Sequence, residues 1–349
     1  GKLEQYAARL ATIQQRVPPT VRRKAVFVLA GDHGITGRGV SLYPREVTGQ
    51  MVRNMMAGGA AINVLSRACG YDVCTVDTGV DADLSDLASQ SSFLDMKAVR
   101  GSADFIAGPA LTAPELERCL DNGRRLADIA TDRGYDIVAI GDMGIGNTTS
   151  AAAILAAFGF SLDTVVDRGT GIDDTTLQTK RNVIAQGLAA RGFRVGSGEA
   201  HTGGTGADRT TGAPVHGPDS GAKAEAILAA FAGPEIATAA GLILGLRGRR
   251  IACMIDGFPV TAAAYAAWRI DPSIINYLFA GHQSKVRGHR PVLDAMGLDP
   301  IVSLDMRLGE GTGAVVGGFL VELGARIAGE MATFSSMSVS KAASEEKDY

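Results

Sequence analysis

The stretch Lys24–Ala30 reads K-A-V-F-V-L-A and is followed by Gly31. A continuous apolar run that ends at a glycine is typical of a strand buried on both faces, as in a parallel sheet. Further strands are predicted at D-V-C-T-V-D (72–77), Y-D-I-V-A-I-G (135–141), R-I-A-C-M-I-D (250–256) and residues 276–280. These runs recur along the whole chain and predict one sheet built from distant segments.

Helical patterns alternate with these runs. They are predicted at 3–16, over about 25 residues from Pro44, and at 114–133, 147–158, 173–191, 233–247, 260–269 and 312–333. Strands that alternate with helices favour an α/β fold, a Rossmann-like parallel sheet with helices on both faces. A smaller helical part is expected from the two chain ends. We expect residues 1–334 to form one large α/β unit.

Two segments lack any period. Residues 196–221 are rich in glycine and threonine, and we expect a long flexible loop that is either functional or inert. Residues 335–349 are polar and end in S-E-E-K-D-Y, so we expect a disordered tail.

Composition excludes several classes of protein. The chain has 349 residues and a net charge of -3, and aromatic residues make up only 5%, which argues against nucleic-acid binding. No apolar run reaches 18 residues, so no membrane span is expected. The four cysteines form no C-x-x-C pair and are predicted to be reduced, as in a cytoplasmic protein. No metal-spaced histidine group occurs among the five histidines, and no metal site is predicted.

Polar and glycine-rich segments follow six of the predicted strands or helices. They are G-D-H-G (31–34), D-T-G (77–79), G-D-M-G-I-G-N-T-T (141–149), D-R-G-T-G (167–171), D-G (256–257) and A-G-H (280–282). In open parallel sheets, ligands bind beyond the carboxyl ends of the strands. The sequence therefore predicts a binding cleft there.

Three of the candidate groups have an alternative explanation. Gly144–Thr149 opens a predicted helix and is either an anion site or an ordinary Asn/Thr cap. It matches neither a Walker loop nor a dinucleotide fingerprint. Glu310, in G-E-G-T-G (309–313), is either a general base or a favourable charge at a helix N-terminus. His33 and His282 are either structural or in contact with substrate.

With these motifs in view, the chain resembles the nicotinate-nucleotide:dimethylbenzimidazole phosphoribosyltransferases of cobamide biosynthesis. The resemblance extends from about residue 1 to Phe334. It rests on A-G-D-H-G-I, G-V-S-L-Y-P-R-E-V-T-G-Q-M-V, G-G-A-A-I-N-V-L-S-R, G-D-M-G-I-G-N-T-T, D-R-G-T-G-I-D-D, A-G-H-x-S and M-R-L-G-E-G-T-G-A. It implies transfer of phosphoribose from nicotinate mononucleotide to dimethylbenzimidazole, without a cofactor.

The resemblance also implies roles for particular residues. Glu310 would be the catalytic base, and Lys180 would bind phosphate unless it lies on a solvated helix face. Substrate contacts are implied for Ser41, Tyr43, Gln50, Asp142, Met143, Gly144, Gly146, Asn147, Thr148, Gly169, Thr170, Gly171, Arg307 and Leu308. A homodimer is implied, in which Phe334 reaches the partner's base pocket.

This chain departs from the family pattern at Asp142, where a glutamate is usual, and in the length of 196–221. A segment that usually precedes the first helix is expected to be absent. Two alternatives stay open: another acceptor base (a different benzimidazole, a purine or a phenol), or a non-catalytic nucleotide-binding module on the same fold.

Overall fold

The computed structural model describes residues 1–168, 171, 173–194 and 220–332. The strands are β1 (Lys24–Gly31), β2 (Asp72–Gly79), β3 (Phe93–Asp95), β4 (Ile137–Met143), β5 (Ala252–Ile255), β6 (Leu278–Ala280), β7 (His282–Gln283) and β8 (Val302–Ser303). The α-helices are α1 (Lys2–Gln14), α2 (Val47–Met56), α3 (Ala61–Cys69), α4 (Ala113–Asp132), α5 (Asn147–Ala157), α6 (Leu162–Val165), α7 (Asp174–Ala190), α8 (Ser220–Phe231), α9 (Pro234–Gly245), α10 (Phe258–Ile270), α11 (His289–Ala295) and α12 (Thr312–Glu330).

The main sheet has six parallel strands in the order β3-β2-β1-β4-β5-β6. This is the order of a doubly wound Rossmann-like sheet, and it confirms the predicted fold class. β2 and β3 are added on one side of β1, and β4, β5 and β6 are added on the other side. The switch point between β1 and β4 is where such sheets bind ligands, beyond the carboxyl ends of the strands. β7 and β8 pair separately.

Both faces of the sheet are covered by helices. Phe27 and Leu29 of β1 point into a core with α4, α5, α9 and α10, whereas Val26 and Val28 point into a second core with α1, α3 and α12. Successive side chains of a strand point to opposite faces of the sheet. The continuous apolar run at 24–30 therefore contributes apolar side chains to both cores. The helices from the two chain ends, α1 and α12, pack on each other, as expected from the sequence.

Among the described helices, α12 is the one long and apolar enough to cross a membrane by composition. It packs instead on β4 and β5, and more than half of its apolar stretch is buried inside the protein. Gly324 allows the close contact with α1, because a Cβ there would lie 2.5 Å from the carbonyl oxygen of Leu3. The apolar character of α12 is therefore explained by its position in the core.

The single helix predicted from Pro44 is wrong, because the segment forms two helices, α2 and α3. Gly58, with φ 79°, adopts a left-handed conformation that ends the first helix. Asn63 Oδ1 then accepts a hydrogen bond from the Ala60 N–H (3.1 Å) and begins the second. The break aims the N-terminus of α3 at the carboxyl end of the sheet.

The structure adds strands that are too short for a sequence pattern, β3, β7 and β8. The expectations for 196–219 and for 335–349 fall outside the described residues. α8 begins at Ser220, so the end of the predicted loop is helical.

Candidate active site

A cleft opens beyond the carboxyl ends of β4, β5 and β6, as predicted. Its floor is Asp142–Thr148, and its walls come from residues 40–43, 257–259, 282–286 and 307–310, with Arg168 and Lys180 at one end. Segments that are far apart in sequence meet here because parallel strands end at the same edge of the sheet.

The turn Gly309-Glu310-Gly311 places a carboxylate in this cleft. All three residues have positive φ angles, of 70°, 61° and 92°. Glycine adopts this conformation freely, but for glutamate it is strained, and such strain is concentrated at functional sites. Glu310 is almost fully buried, and its Oε2 accepts a hydrogen bond from the Ile62 N–H at the start of α3 (3.1 Å). The Glu310 carboxylate is therefore held by α3, although Glu310 itself precedes α12.

Asp256, at the end of β5, anchors the same turn. Its Oδ2 accepts from the Gly311 N–H (3.1 Å), and its Oδ1 accepts from the Gly313 and Ala314 N–H groups (2.8 and 3.0 Å). These are otherwise unpaired donors in the first turn of α12. The charge–dipole arrangement at a helix N-terminus adds to the stabilisation.

Two buried carboxyl groups, Asp142 and Glu310, line the cleft, and a third, Asp256, is buried beside the turn that carries Glu310. Burial raises the pKa of Glu310, and the charge of Asp256 raises it further, against the opposing hydrogen bond from Ile62. Burial also raises the pKa of Asp142 well above its usual range, with contributions from Asp256, Glu235 and Glu310. Asp142 Oδ2 accepts from Asn147 Nδ2 (2.6 Å). A carboxylate with a raised pKa is suited to accept a proton near neutral pH.

The other end of the cleft is suited to an anion. The Lys180 ammonium is buried and donates to Thr148 Oγ1 (2.9 Å) and the Asp167 carbonyl (3.2 Å). Burial lowers the pKa of Lys180 to about 8, against the opposing charge of Asp167. Gly146 (φ 94°) begins α5, which presents its N-terminus here. Lys180 does not lie on a solvated helix face, so that alternative is wrong.

Most of the residues implied by the resemblance line this cleft. They are Ser41, Tyr43, Asp142, Met143, Gly144, Gly146, Asn147, Thr148, Lys180, Arg307, Leu308 and Glu310. Gln50 is exposed on α2 and does not line the cleft, and neither does Gly171, which forms an exposed turn with Arg168. Gly169, Thr170 and Phe334 lie outside the described residues.

The sequence analysis gave no role to five lining residues, which are Val40, Phe258, Pro259, Ser284 and Val286. The cleft is also lined by His282, for which contact with substrate was one of two expected roles, and by residues inside the glycine-rich segments already noted, which are Ile145, Arg168, Gly257 and Gly309. Four of the five residues without a role follow β5 or β6, where D-G and A-G-H were noted as strand endings. The rule that ligands lie beyond strand ends, applied to each strand in turn, could have found them.

The histidines at strand ends have different roles. His33 is fully buried, its Nε2 donates to Glu235 Oε1 (2.7 Å), and its Nδ1 lies 2.9 Å from Ser150 Oγ. This histidine is structural and supports the loop at Gly144. His282 lines the cleft. Within the described ranges, no group of three or more His, Cys, Asp or Glu side chains could hold a metal ion.

Comparisons with known proteins show which proteins this chain is similar to. A family model described as phosphoribosyltransferase matches residues 1–204 and 209–339. The nicotinate-nucleotide–dimethylbenzimidazole phosphoribosyltransferase of Geobacter sulfurreducens is 43% identical over 342 residues, covering 98% of this chain and 89% of that protein. The enzyme of the same name from Thermus thermophilus is 42% identical, with 98% and 93% covered. The crystal structure of CobT from Thermus thermophilus has a TM-score of 0.85 and 41% identity, with 98% and 94% covered.

The Lys180 ammonium should control anion binding at this end of the cleft. Sulfate, which does not titrate near neutral pH, is the probe, and calorimetry measures its affinity. Because a group with a pKa of about 8 loses its charge as pH rises, we expect the affinity to fall between pH 7 and pH 9. Lys180→Met should weaken binding about tenfold at pH 7 and remove the pH dependence.

Lys223→Met, at an exposed position on α8, is the matched control and should behave as the wild type. If Lys180→Met bound sulfate as tightly as the wild type, Lys180 would have no part in the anion site.

Proposed function

The chain belongs to the family of nicotinate-nucleotide–dimethylbenzimidazole phosphoribosyltransferases, and we propose that it transfers phosphoribose from nicotinate mononucleotide to 5,6-dimethylbenzimidazole. The bond between C1′ and the pyridinium nitrogen breaks, and a bond from C1′ to an imidazole nitrogen forms. The other imidazole nitrogen gives up its proton. The products are α-ribazole 5′-phosphate and nicotinate, which supply the lower ligand of cobamides.

Glu310 is the proposed proton acceptor. The observation that carries the proposal is its carboxyl group, which is buried in the cleft, held by the Ile62 N–H, and raised in pKa by burial. Ionised, this carboxylate would take the proton from one imidazole nitrogen while the other attacks C1′. The departing pyridine loses its positive charge as the bond breaks, so the leaving group needs no added proton.

The cleft has a separate region for each part of the substrates. Lys180, Thr148 and the N-terminus of α5 would bind the phosphate. Ser41, Tyr43, Met143 and Leu308, near Glu310, would surround the benzimidazole. Arg307 and Asp142 also line the cleft.

The direct experiment is to incubate the purified chain with nicotinate mononucleotide and dimethylbenzimidazole and to measure free nicotinate. A panel of acceptors (other benzimidazoles, purines and phenols) tests the alternative within the enzyme class. Binding of the nucleotide without release of nicotinate by any acceptor would instead favour a non-catalytic module.

Glu310→Gln tests the general base. The amide keeps the shape of the side chain but cannot accept the proton, so we expect kcat to fall by about 10²–10⁴ while the Kd for dimethylbenzimidazole stays unchanged. Wild-type kcat/KM should also fall as pH falls through the raised pKa of Glu310, above the usual 4.5, and the variant should lack this acid limb.

The control is Glu330→Gln at the exposed end of α12, which should match the wild type. Turnover of Glu310→Gln within about threefold of the wild type would remove Glu310 from the mechanism.

Asp142→Glu tests whether the shorter side chain is adapted to this cleft. Because Asp142 is buried and its Oδ2 lies 2.6 Å from Asn147 Nδ2, an extra methylene would displace the first turn of α5. We expect kcat/KM to fall roughly tenfold.

Asp142→Asn is the matched variant, because it keeps the length and mimics the protonated form favoured by the raised pKa. It should be the milder change. Equal or better turnover with glutamate would show that aspartate is merely tolerated here.

A homodimer in the cytoplasm is also proposed. Leu42, Tyr43, Leu304 and Leu308 are each at least half exposed, and three of them line or flank the cleft. Large apolar side chains at such a rim favour coverage by a second copy.

The four unpaired cysteines suit a reducing compartment. Recovery of the protein outside the cytosolic fraction would contradict the proposed location. Light scattering should give the mass of two chains, and a monomer at micromolar concentration would contradict the proposed dimer.

A further inference from the structure

His282 is the first residue of β7, separated from the end of β6 by Gly281, and is packed against the first turn of α12. A Cβ at Gly313 would lie 2.1 Å from His282 Cδ2, and a Cβ at Gly281 would lie 2.5 Å from the Cα of Ala314. Only glycine fits at these two positions without displacing the helix or the ring. The chain therefore brings an imidazole ring into the cleft wall, close to the turn that carries Glu310.

Both ring nitrogens of His282 lack a hydrogen-bond partner among the described residues, although the side chain is only 3% exposed. Asp256 Oδ1 lies 3.5 Å from Nε2, a distance too long for a good hydrogen bond. That oxygen already accepts from the Gly313 and Ala314 N–H groups. An unpaired polar group in a buried position is costly, so a ligand hydrogen bond at this ring would be favourable.

The neighbouring His289 shows how the same fold satisfies a structural histidine. Its ring centroid lies 5.9 Å from that of His282. The Ser284 N–H donates to His289 Nδ1 (2.8 Å), and Nε2 therefore carries the proton and donates to Thr261 Oγ1 (2.8 Å). Both nitrogens of His289 are paired with protein atoms, whereas His282 faces the cleft without such partners.

We propose that His282 hydrogen-bonds a ribose hydroxyl of the mononucleotide substrate, an inference that rests on the proposed function. The sugar is covalently between the phosphate and the leaving base, so it must pass between the Lys180 end and the Glu310 end of the cleft. His282 lies beside Asp256 and the Glu310 turn. A neutral imidazole has one donor and one acceptor nitrogen, which suits a hydroxyl group.

The neighbouring charges exclude the other polar parts of the substrate. Asp256 is 3.5 Å from the ring, and its charge acts on both Asp142 and Glu310. A phosphate or the carboxylate of nicotinate would face this group of carboxyls and be repelled. A hydroxyl carries no charge and is not penalised.

The test compares nicotinate mononucleotide with its 2′-deoxy and 3′-deoxy analogues, at saturating dimethylbenzimidazole. We expect His282→Phe to lower kcat/KM for the natural nucleotide about tenfold. For the analogue that lacks the bound hydroxyl, the same substitution should change kcat/KM by less than about twofold, since that hydrogen bond is already absent. His282→Gln keeps a polar group at the position of Nε2 and should restore part of the activity.

His289→Gln is the matched control. It replaces a buried histidine that is not proposed to bind the ribose. We expect it to change kcat/KM by the same factor for all three nucleotides. Equal penalties for His282→Phe across the three nucleotides, or no penalty with any of them, would overturn the proposal. Melting temperatures report separately on folding.

The same comparison is made with Kd values from calorimetry in the absence of the acceptor base. A wild-type chain that releases no nicotinate would contradict the proposed function. It would still support the His282 proposal if it bound the ribonucleotide about tenfold more tightly than one deoxy analogue and if His282→Phe removed that difference. Equal Kd values for all three nucleotides would overturn the proposal.

Discussion

The hydrogen bonds that Asp256 accepts from the first turn of α12 are the constraint on which the site depends. Three backbone N–H groups converge on one buried carboxylate at the end of β5. They fix the position of α12 relative to the sheet, and with it the strained turn at Glu310. Hydrogen bonds to a charged group are among the stronger ones in a protein interior, and they can offset such backbone strain. The Glu310 carboxyl group is thus positioned by the core rather than by a mobile loop.

This arrangement concentrates negative charge in one place. Burial raises the pKa of Asp142, Asp256 and Glu310, and the charge of Asp256 raises the pKa of the other two further. Mutual repulsion would be unfavourable if all three were ionised, so protons are held more tightly here than on exposed carboxyls. The backbone N–H groups at the start of α12 and the Ile62 N–H of α3 compensate part of this charge. Burial and repulsion both move the pKa of Glu310 upward, which suits the role of proton acceptor proposed for it.

The sheet and the position of the cleft could be predicted from the sequence, because continuous apolar runs and strand-end polar groups both follow local chemistry. The break between α2 and α3 could have been read from Gly58-Gly59, but helical periodicity continues across it and conceals it. The role of Asp256 could not be predicted, since its three partners are 55 to 58 residues away in the chain. His33 and His282 occupy the same kind of position in sequence, and only tertiary contacts distinguish the paired ring from the unpaired one. Most of the cleft residues implied by the resemblance do line it, and Gln50 does not.

The same constraint explains part of the high glycine content. Glycine makes up 45 of 349 residues, and several glycines lie where the sheet meets α12. A Cβ at Gly141 would lie 2.3 Å from the backbone of Glu310, and one at Gly317 would lie 2.3 Å from the carbonyl oxygen of Gly281. Each glycine costs conformational entropy on folding. The absence of a side chain lets the strand ends and the α12 backbone come close enough for Asp256 to reach three N–H groups. A side chain of any size at these positions would prevent this approach. The site therefore requires backbone contact, which the glycines at these positions permit.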